Sequence, residues 1–542
     1  MRSISTLLFI LSACLLGIVS YALLVADPRF SAYVLVGDDA GYYFAIARNF
    51  LLGHGLSFDR LHETNGFNPL LTALLIGAFR LFVHDLSVIG CYRVGIMVTL
   101  LANLGSLFLL VRLVGGLLDE QVFTGALRRL AIATATLFFA GFIALKSNYG
   151  MDAPLVFLIG LAYLDRVRQH GLVSRGAGAA LVDGALLALL FLARVDSLPF
   201  LVAAFALMAV LALRDRSLWV PIGARGIMSV AIAAPYLLWS ASHFGAWLPV
   251  SARLKSRFPV LDLPASMDVV LHSSLNPADL GSFALAFVVA LATAIWFFSA
   301  LRRRPAAELL ADNRLAVLAV LAAYLLMRLT YMAMFSRLDV QGSYVILAHA
   351  FNLLMASWVA GGLAKRAGAA GTAERARIGQ LVCALLMLVT LVLVVGKSRA
   401  IQRTWGNTES GGSGDEMALG QAIHANTTAS DVIYGGAYGL VGFFADRAWI
   451  NGDGVANTPQ YQRVLENGEL EAYLAENRVT HLVFLRPTGA PMSQGQRLKV
   501  RSELNGRVNY YSVADSASVL DWYSLRNGGC TVSLARYSAP AQ

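Results

Sequence analysis

The sequence predicts a polytopic, all-α membrane domain of about eleven transmembrane helices, with two membrane-parallel helices in its first outer loop and a small C-terminal α/β soluble domain. Three observations lead there. Of 542 residues, 57% are hydrophobic and only 14% are charged, with a mean hydropathy of +0.63; soluble domains carry roughly 25% charged residues. Apolar runs of bilayer-crossing length recur through residues 1–400. From Ile401 on, the composition turns ordinary and polar.

The candidate spans lie at 5–25, 88–111, 131–146, 152–167, 177–193, 197–213, 226–241, 280–301, 315–335, 344–363 and 378–396. The first follows Met1-Arg2 and lacks a small-x-small cleavage site, so it reads as a retained helix and not a signal peptide. A further apolar segment, Leu70 to Val83, would be only ~21 Å long as a helix, short of the ~30 Å hydrocarbon core. It reads as lying in the interface. The basic loops Arg112 to Arg129, Arg166 to Arg175, Arg214 to Arg225, Arg302 to Arg314 and Lys365 to Arg377 then all fall in the cytoplasm, with Arg2, as the positive-inside rule asks. Demoting 152–167 instead restores parity but strands three arginines on the wrong side. The net charge of +10 is spread over these loops, which points to anionic lipid and not to nucleic acid.

This topology places outside the residues 26–87, 147–151, 194–196, 242–279, 336–343 and everything after about 397. The chain divides into a membrane domain over 1–400, a linker over 401–415 that carries most of ESGGSGDE, and an extracytoplasmic domain over 416–542. There DVIYGG and THLVFL read as short buried strands, and YQRVLENGELEAYLAEN as helical. The four cysteines show no metal or disulfide spacing, GAYGLVGFFADRAWINGDG has no phosphate-loop spacing, and no internal repeat is visible.

The chemistry concentrates in GDDAGYYFAIARNFLLGHGLSFDRLHETNGFNPL of the first outer loop. An amphipathic helix starts at the Asp pair, with Tyr43, Ile46 and Phe50 on one face, and Gly53 and Gly55 end it. Asn68 and Pro69 form an N-cap and first-turn pair for a second helix, so two surface helices roof the bundle. Adjacent carboxylates beside a membrane cost several kcal/mol unless capped, paired or solvated. The competing reading of Asp38 is a plain helix cap.

In this loop the sequence resembles GT-C superfamily glycosyltransferases, and within them bacterial proteins similar to the mycobacterial terminal arabinofuranosyltransferases. The resemblance rests on Asp38, Asp39, Arg48, Asn49, Gly53, His54, Gly55, Thr64 and Asn65, with weaker matches in NYGMDAPL, LARVDSL and FGAWLPVSARLK. The family more often shows Glu where this chain has Asp152 and Asp196, and Pro where it has Val195. The resemblance implies inverting transfer of a sugar, arabinofuranose among the candidates, from a polyprenyl-phosphate donor in the membrane. The acceptor would be a hydroxyl of an extracytoplasmic glycan, lipid or protein. The setting would be a bacterial plasma membrane, with the N-terminus cytoplasmic.

Such chemistry needs one general base for the acceptor and positive charge for the departing phosphate. Asp38 is the candidate base, and Asp39 orients the acceptor or binds a divalent metal; no other cofactor is implied. Lys255 and Arg253 are candidates for the donor phosphate, with Arg194 as a rival. Substrate-binding candidates are His54, Asn65, Asp152, Asp196 and His349. Bland readings compete with each: Lys255 and Arg253 as headgroup anchors, Arg194 paired with Asp196, Asp152 as a cap, His54 as a turn residue, His349 as a core histidine. The rival functional class is a transporter or lipid flippase, and a third reading is an inactive assembly scaffold.

Overall fold

The computed structural model describes residues 28–117, 149–271, 277–302, 312–337, 416–487 and 498–537, with short breaks at 35, 437, 505–506, 514–517 and 526–529, and a few positions elsewhere. The expected spans 5–25, 131–146 and 378–396, most of 344–363, the whole linker and His349 lie outside the described residues.

The described chain opens with α1 (Pro28–Val34), α2 (Ala40–Leu51) and α3 (Pro69–Phe82). There follow α4 (Val88–Leu117), α5 (Ala153–His170), α6 (Ala177–Ala193), α7 (Leu198–Ala212) and α8 (Trp219–Phe244). Two short helices, α9 (Val250–Lys255) and α10 (Leu263–Leu271), precede α11 (Pro277–Leu301) and α12 (Asn313–Phe335). Among the described residues, four stretches are long and apolar enough to cross a membrane: Val88–Leu117, Val195–Ala212, Arg216–Phe244 and Asn313–Phe335. At 14 residues α3 is too short; it buries Leu71, Leu75 and Phe79 in a helix packed on α2, α4 and α6, and exposes Leu74, Leu81 and Phe82.

Two sequence expectations need correction here. Apolar periodicity ended α5 at 167 and began α8 at 226, but both helices run on into charged residues. The reason is pairing. Asp165 on α5 takes Arg112 of α4 at 3.1 Å and Arg168 at 2.9 Å, and Asp183 on α6 takes Arg166 at 2.6 Å and Arg225 of α8 at 2.8 Å. Arg225 is fully buried. Several of the basic residues expected to face lipid therefore neutralise buried carboxylates and tie helix ends together, as a charge removed from water requires.

The C-terminal segment runs α13 (Glu416–Asn426), β1 (Val432–Gly435), α14 (Gly439–Ala445), β2 (Ala448–Asn451), α15 (Pro459–Asn467), α16 (Leu470–Glu476), then β3 (His481–Pro487), β4 (Leu498–Leu504), β5 (Arg507–Val513), β6 (Ser518–Leu525) and β7 (Cys530–Arg536). Five strands form a mixed sheet in the order β2-β1-β3-β7-β6, and β4 and β5 pair separately. The β1 strand is parallel to β2 and β3, whereas β7 is antiparallel to β3 and β6. The single helical stretch read over 461–477 is two helices, divided at Gly468.

This segment sits directly on α2 and the residues that follow it. Where α14 crosses α2 the backbones touch: a Cβ on Gly41 would overlap the Gly439 carbonyl, and one on Gly439 would overlap the Asp38 carbonyl. So α2 is no half-wet roof. Residues 40–47 are all buried, while Phe50, expected on the buried face, is 45% exposed. A contact with a segment some 400 positions later in the chain covers the face that local periodicity left to solvent.

Candidate active site

Asp38 and Asp39 stand at the N-terminal end of α2, and Asp39 caps nothing there. Asp38 Oδ1 instead accepts the backbone N–H of Leu440, in α14, at 2.9 Å. Asp39 Oδ2 lies 3.5 Å from Lys255 Nζ, at the end of α9. Two more carboxylates come from the C-terminal segment. Asp453 accepts the Tyr42 hydroxyl at 3.0 Å, and Tyr42 in turn accepts from Asn451 Nδ2 at 2.9 Å. Glu416, the first residue of α13, has its pKa driven well above the usual carboxylate range by burial and then by the charges of Asp38 and Asp39.

Like charges this close cannot all ionise together. Burial first, and then the Asp39 charge, push the Asp38 carboxyl up to about 7; the Gly439 and Leu440 N–H groups oppose this in part, and Asp453 adds to it. A carboxylate poised near neutrality, with one anchored oxygen, is suited to take a proton from a hydroxyl. Lys255 is held in place from both sides. Its carbonyl accepts Arg337 N–H at 3.2 Å, the Ser256 and Tyr331 hydroxyls meet at 2.6 Å, and Arg257 N–H reaches the Phe335 carbonyl at 2.7 Å, which fastens the chain after α9 to the end of α12.

A second cluster lies at the ends of α5, α6 and α7. Asp152 accepts from Asn68 Nδ2 and, at 3.3 Å, from the Tyr43 hydroxyl. Arg194 is 3.7 Å from Asp152 and 3.0 Å from Asp196, and Arg328 of α12 holds Asp196 at 2.5 Å. The structure thus brings together Asp38, Asp39 and Lys255, and separately Asp152, Arg194 and Asp196. Asn68, read as a cap, makes no capping bond and donates to Asp152 and Tyr43 instead, because a buried carboxylate is the stronger acceptor. Asp152 likewise makes no capping bond.

The remaining candidates stand elsewhere. Arg253, two positions before Lys255 on α9, points to the opposite side and is exposed. His54 is exposed on the turn after α2. Asn65 is fully buried: its Nδ2 donates to the Ser240 hydroxyl at 2.9 Å and the Leu248 carbonyl at 3.3 Å, and its Oδ1 accepts Val250 N–H at 3.2 Å. It hangs α9 in place. Among the described residues no three carboxylate, imidazole or thiolate groups gather as metal ligands would, and the Asp39 carboxylate faces an ammonium.

Sequence reasoning missed Arg328, Asn68, Tyr42, Glu416 and Asp453. A lone arginine inside the apolar run of α12 was a usable signal for Arg328; nothing local pointed to the two C-terminal carboxylates. The Arg48-Asn49 unit has a docking task. Arg48 reaches the Leu86 carbonyl and Asp446, each at 2.6 Å, Arg60 also pairs with Asp446, and Thr64 donates to the Asn457 carbonyl at 2.8 Å. Burial would raise the Asp446 pKa, but the two guanidiniums outweigh it and hold the carboxyl below its usual range.

The fold is similar to that of a solved oligosaccharyltransferase. The oligosaccharyltransferase of Archaeoglobus fulgidus in its apo form superposes with a TM-score of 0.51 at 13% identity, over 89% of this chain and 69% of that one. The same enzyme tethered to an acceptor peptide containing the NVT sequon gives 0.51 at 13% identity, over 94% and 74%. ArnT from Cupriavidus metallidurans, bound to undecaprenyl phosphate, gives 0.42 at 14% identity, over 88% and 95%. No family model and no curated protein matches the sequence. At these identities the likeness shows the fold alone, and it bears out the GT-C resemblance at that level.

Proposed function

We propose that this chain is an inverting glycosyltransferase that takes a sugar from a polyprenyl-phosphate donor and passes it to a hydroxyl of a glycan, lipid or protein on the extracytoplasmic side of a bacterial plasma membrane. The observation that carries this reading is the acid end of α2: Asp38 anchored by Leu440 N–H and raised toward neutrality, with the Asp39–Lys255 pair beside it. Asp38 removes the acceptor proton as the acceptor oxygen attacks the anomeric carbon from the face opposite the phosphate. The C–O bond to phosphate breaks, and the polyprenyl phosphate leaves with the electron pair, its charge met by Lys255. The fold shared with an oligosaccharyltransferase supports this reading. Arabinofuranose as the sugar rests on the loop pattern around Asp38 to Asn65 alone.

A flippase or transporter would gather its charges at the midplane in broken helices. Most of the charges here sit at helix ends: Asp152 before α5, Arg194 after α6, Asp196 before α7 and Lys255 at the end of α9. The test is sugar transfer by the purified chain from defined polyprenyl-phosphate sugars, guided by comparing cell-envelope glycans, lipids and glycoproteins with and without the gene. Lipid translocation without transfer would favour the flippase reading.

A further inference from the structure

A cleft of about 320 Å³ opens between the turn after α8 and the outer side of α15, away from Lys255. Phe244 and Arg253 form its membrane-side wall, and Gln460, Gln462, Arg463 and Glu466 form the other. Neither Arg253 nor Arg463 has an ion-pair partner among the described residues, although Glu466 lines the same space. Two guanidiniums sharing a cleft with one carboxylate leave a net positive charge that an anion would satisfy. The amides and Glu466 offer acceptors and donors for hydroxyl groups, and the Phe244 ring offers an apolar face. The carboxylate also disfavours a doubly charged phosphate.

The two walls are fixed by neighbouring residues of the first outer loop. Thr64 donates to the Asn457 carbonyl at 2.8 Å, just before α15, whereas Asn65 holds Leu248 and Val250 on the membrane side. The Ser240 hydroxyl donates to the Ala246 carbonyl at 2.6 Å and sets the turn that carries Phe244. One dipeptide therefore clasps both sides of the cleft and sets its width. Its volume is at the small end for small-molecule sites, room for a saccharide unit and not for a folded partner.

We propose that this cleft is an acceptor subsite that takes a sugar residue bearing a carboxylate, such as a uronic acid. The proposal rests on the glycosyltransferase reading and reassigns Arg253 from the donor phosphate to the acceptor. The full chain in phosphatidylcholine nanodiscs is probed with sodium glucuronate and with glucose by saturation-transfer NMR, and with undecaprenyl phosphate for the donor side. Glucuronate should bind, glucose should bind about tenfold more weakly, and Arg253→Gln and Arg463→Gln should each weaken glucuronate by about tenfold, the loss of one charge-assisted bond. Arg463→Gln should leave undecaprenyl phosphate affinity unchanged.

Equal affinity for glucose and glucuronate, or variants without effect, would overturn the assignment. So would loss of glucuronate binding when phosphatidylglycerol is added to the nanodiscs, since that would make the cleft a lipid-headgroup site. Undecaprenyl phosphate binding and sugar transfer are read on the same samples. Glucuronate that fails to bind a parent chain with intact donor binding refutes the cleft alone, whereas absent donor binding in the parent chain refutes the function on which it rests.

Discussion

Replacing Asp38 by Asn should slow turnover sharply and stabilise the protein, with a pH signature. The Asp38 carboxyl is raised from 3.8 to about 7 in the folded chain. At about 1.4 kcal/mol per pH unit, a rise of that size is an effect on the order of a few kcal/mol. The folded pKa lies above the unfolded one, so the folded chain holds the proton more tightly. The contribution of this one group to stability is complete below about pH 4, is lost as pH rises through about 7, and changes no further above that. Asn stays neutral and its Oδ1 still accepts the Leu440 N–H, so the variant keeps the stability of the protonated form throughout. The melting temperatures of parent and variant should coincide near pH 4 and separate toward pH 8, the variant being higher. Turnover should fall by about 10² to 10⁴, the usual contribution of a positioned base, with donor affinity little changed. A variant less stable than the parent near pH 8, or a gap that ignores pH, would refute the electrostatic account. Near-parental turnover would move the base to Asp39 or Asp152.

Lys255→Met keeps the apolar stem and removes the charge, so donor affinity should fall by about 1.5–3 kcal/mol, read by isothermal titration with undecaprenyl phosphate. Asp39→Asn frees Lys255 from its 3.5 Å partner and should tighten donor binding in the same titration. It also removes a negative charge that raises Asp38, so the acid limb of the pH–rate profile should move to lower pH. Asp446→Asn leaves Arg48 and Arg60 without their carboxylate while tolerating the left-handed backbone at that position (φ 50°), and should loosen the C-terminal segment by ~1–3 kcal/mol, visible as faster amide exchange in α14. Reporter fusions after Ser87 should read as extracytoplasmic, since α3 is too short to cross.

What was legible in the sequence was whatever local chemistry determines. Composition announced the membrane helices, and Gly53 and Pro69 marked the end of α2 and the start of α3, because helix ends are written in a few adjacent residues. The acid pair was visible as an oddity, but its surroundings were not. The Leu440 N–H, Glu416 and Asp453 come from far along the chain, and no periodicity in residues 38–51 tells that a second segment will cover that helix. Asn68 and Pro69 do stand at the N-cap and first turn of α3, but the Asn68 side chain makes no capping bond, because a buried Asp152 outbids the backbone. The positive-inside rule spoke to the side on which Arg225 lies, not to its burial against Asp183.

The choice between Lys255 and Arg194 for the donor phosphate follows from how firmly each is held. Arg194 is nearly buried and bridges Asp152 and Asp196, and Asp196 is held again by Arg328 from α12. Drawing that guanidinium toward a phosphate would leave the buried Asp152 uncompensated, a cost of about 3–5 kcal/mol that a ligand would have to overcome. The network is better suited to fixing the ends of α5, α6, α7 and α12 against one another. Lys255 and Asp39 are 3.5 Å apart with side chains 32% and 26% exposed, a loose pair whose partners water can solvate when they separate. An ammonium in such a pair can exchange its carboxylate for a phosphate oxygen at little cost. The exchange also leaves Asp39 beside Asp38, free to accept a hydroxyl of the incoming acceptor.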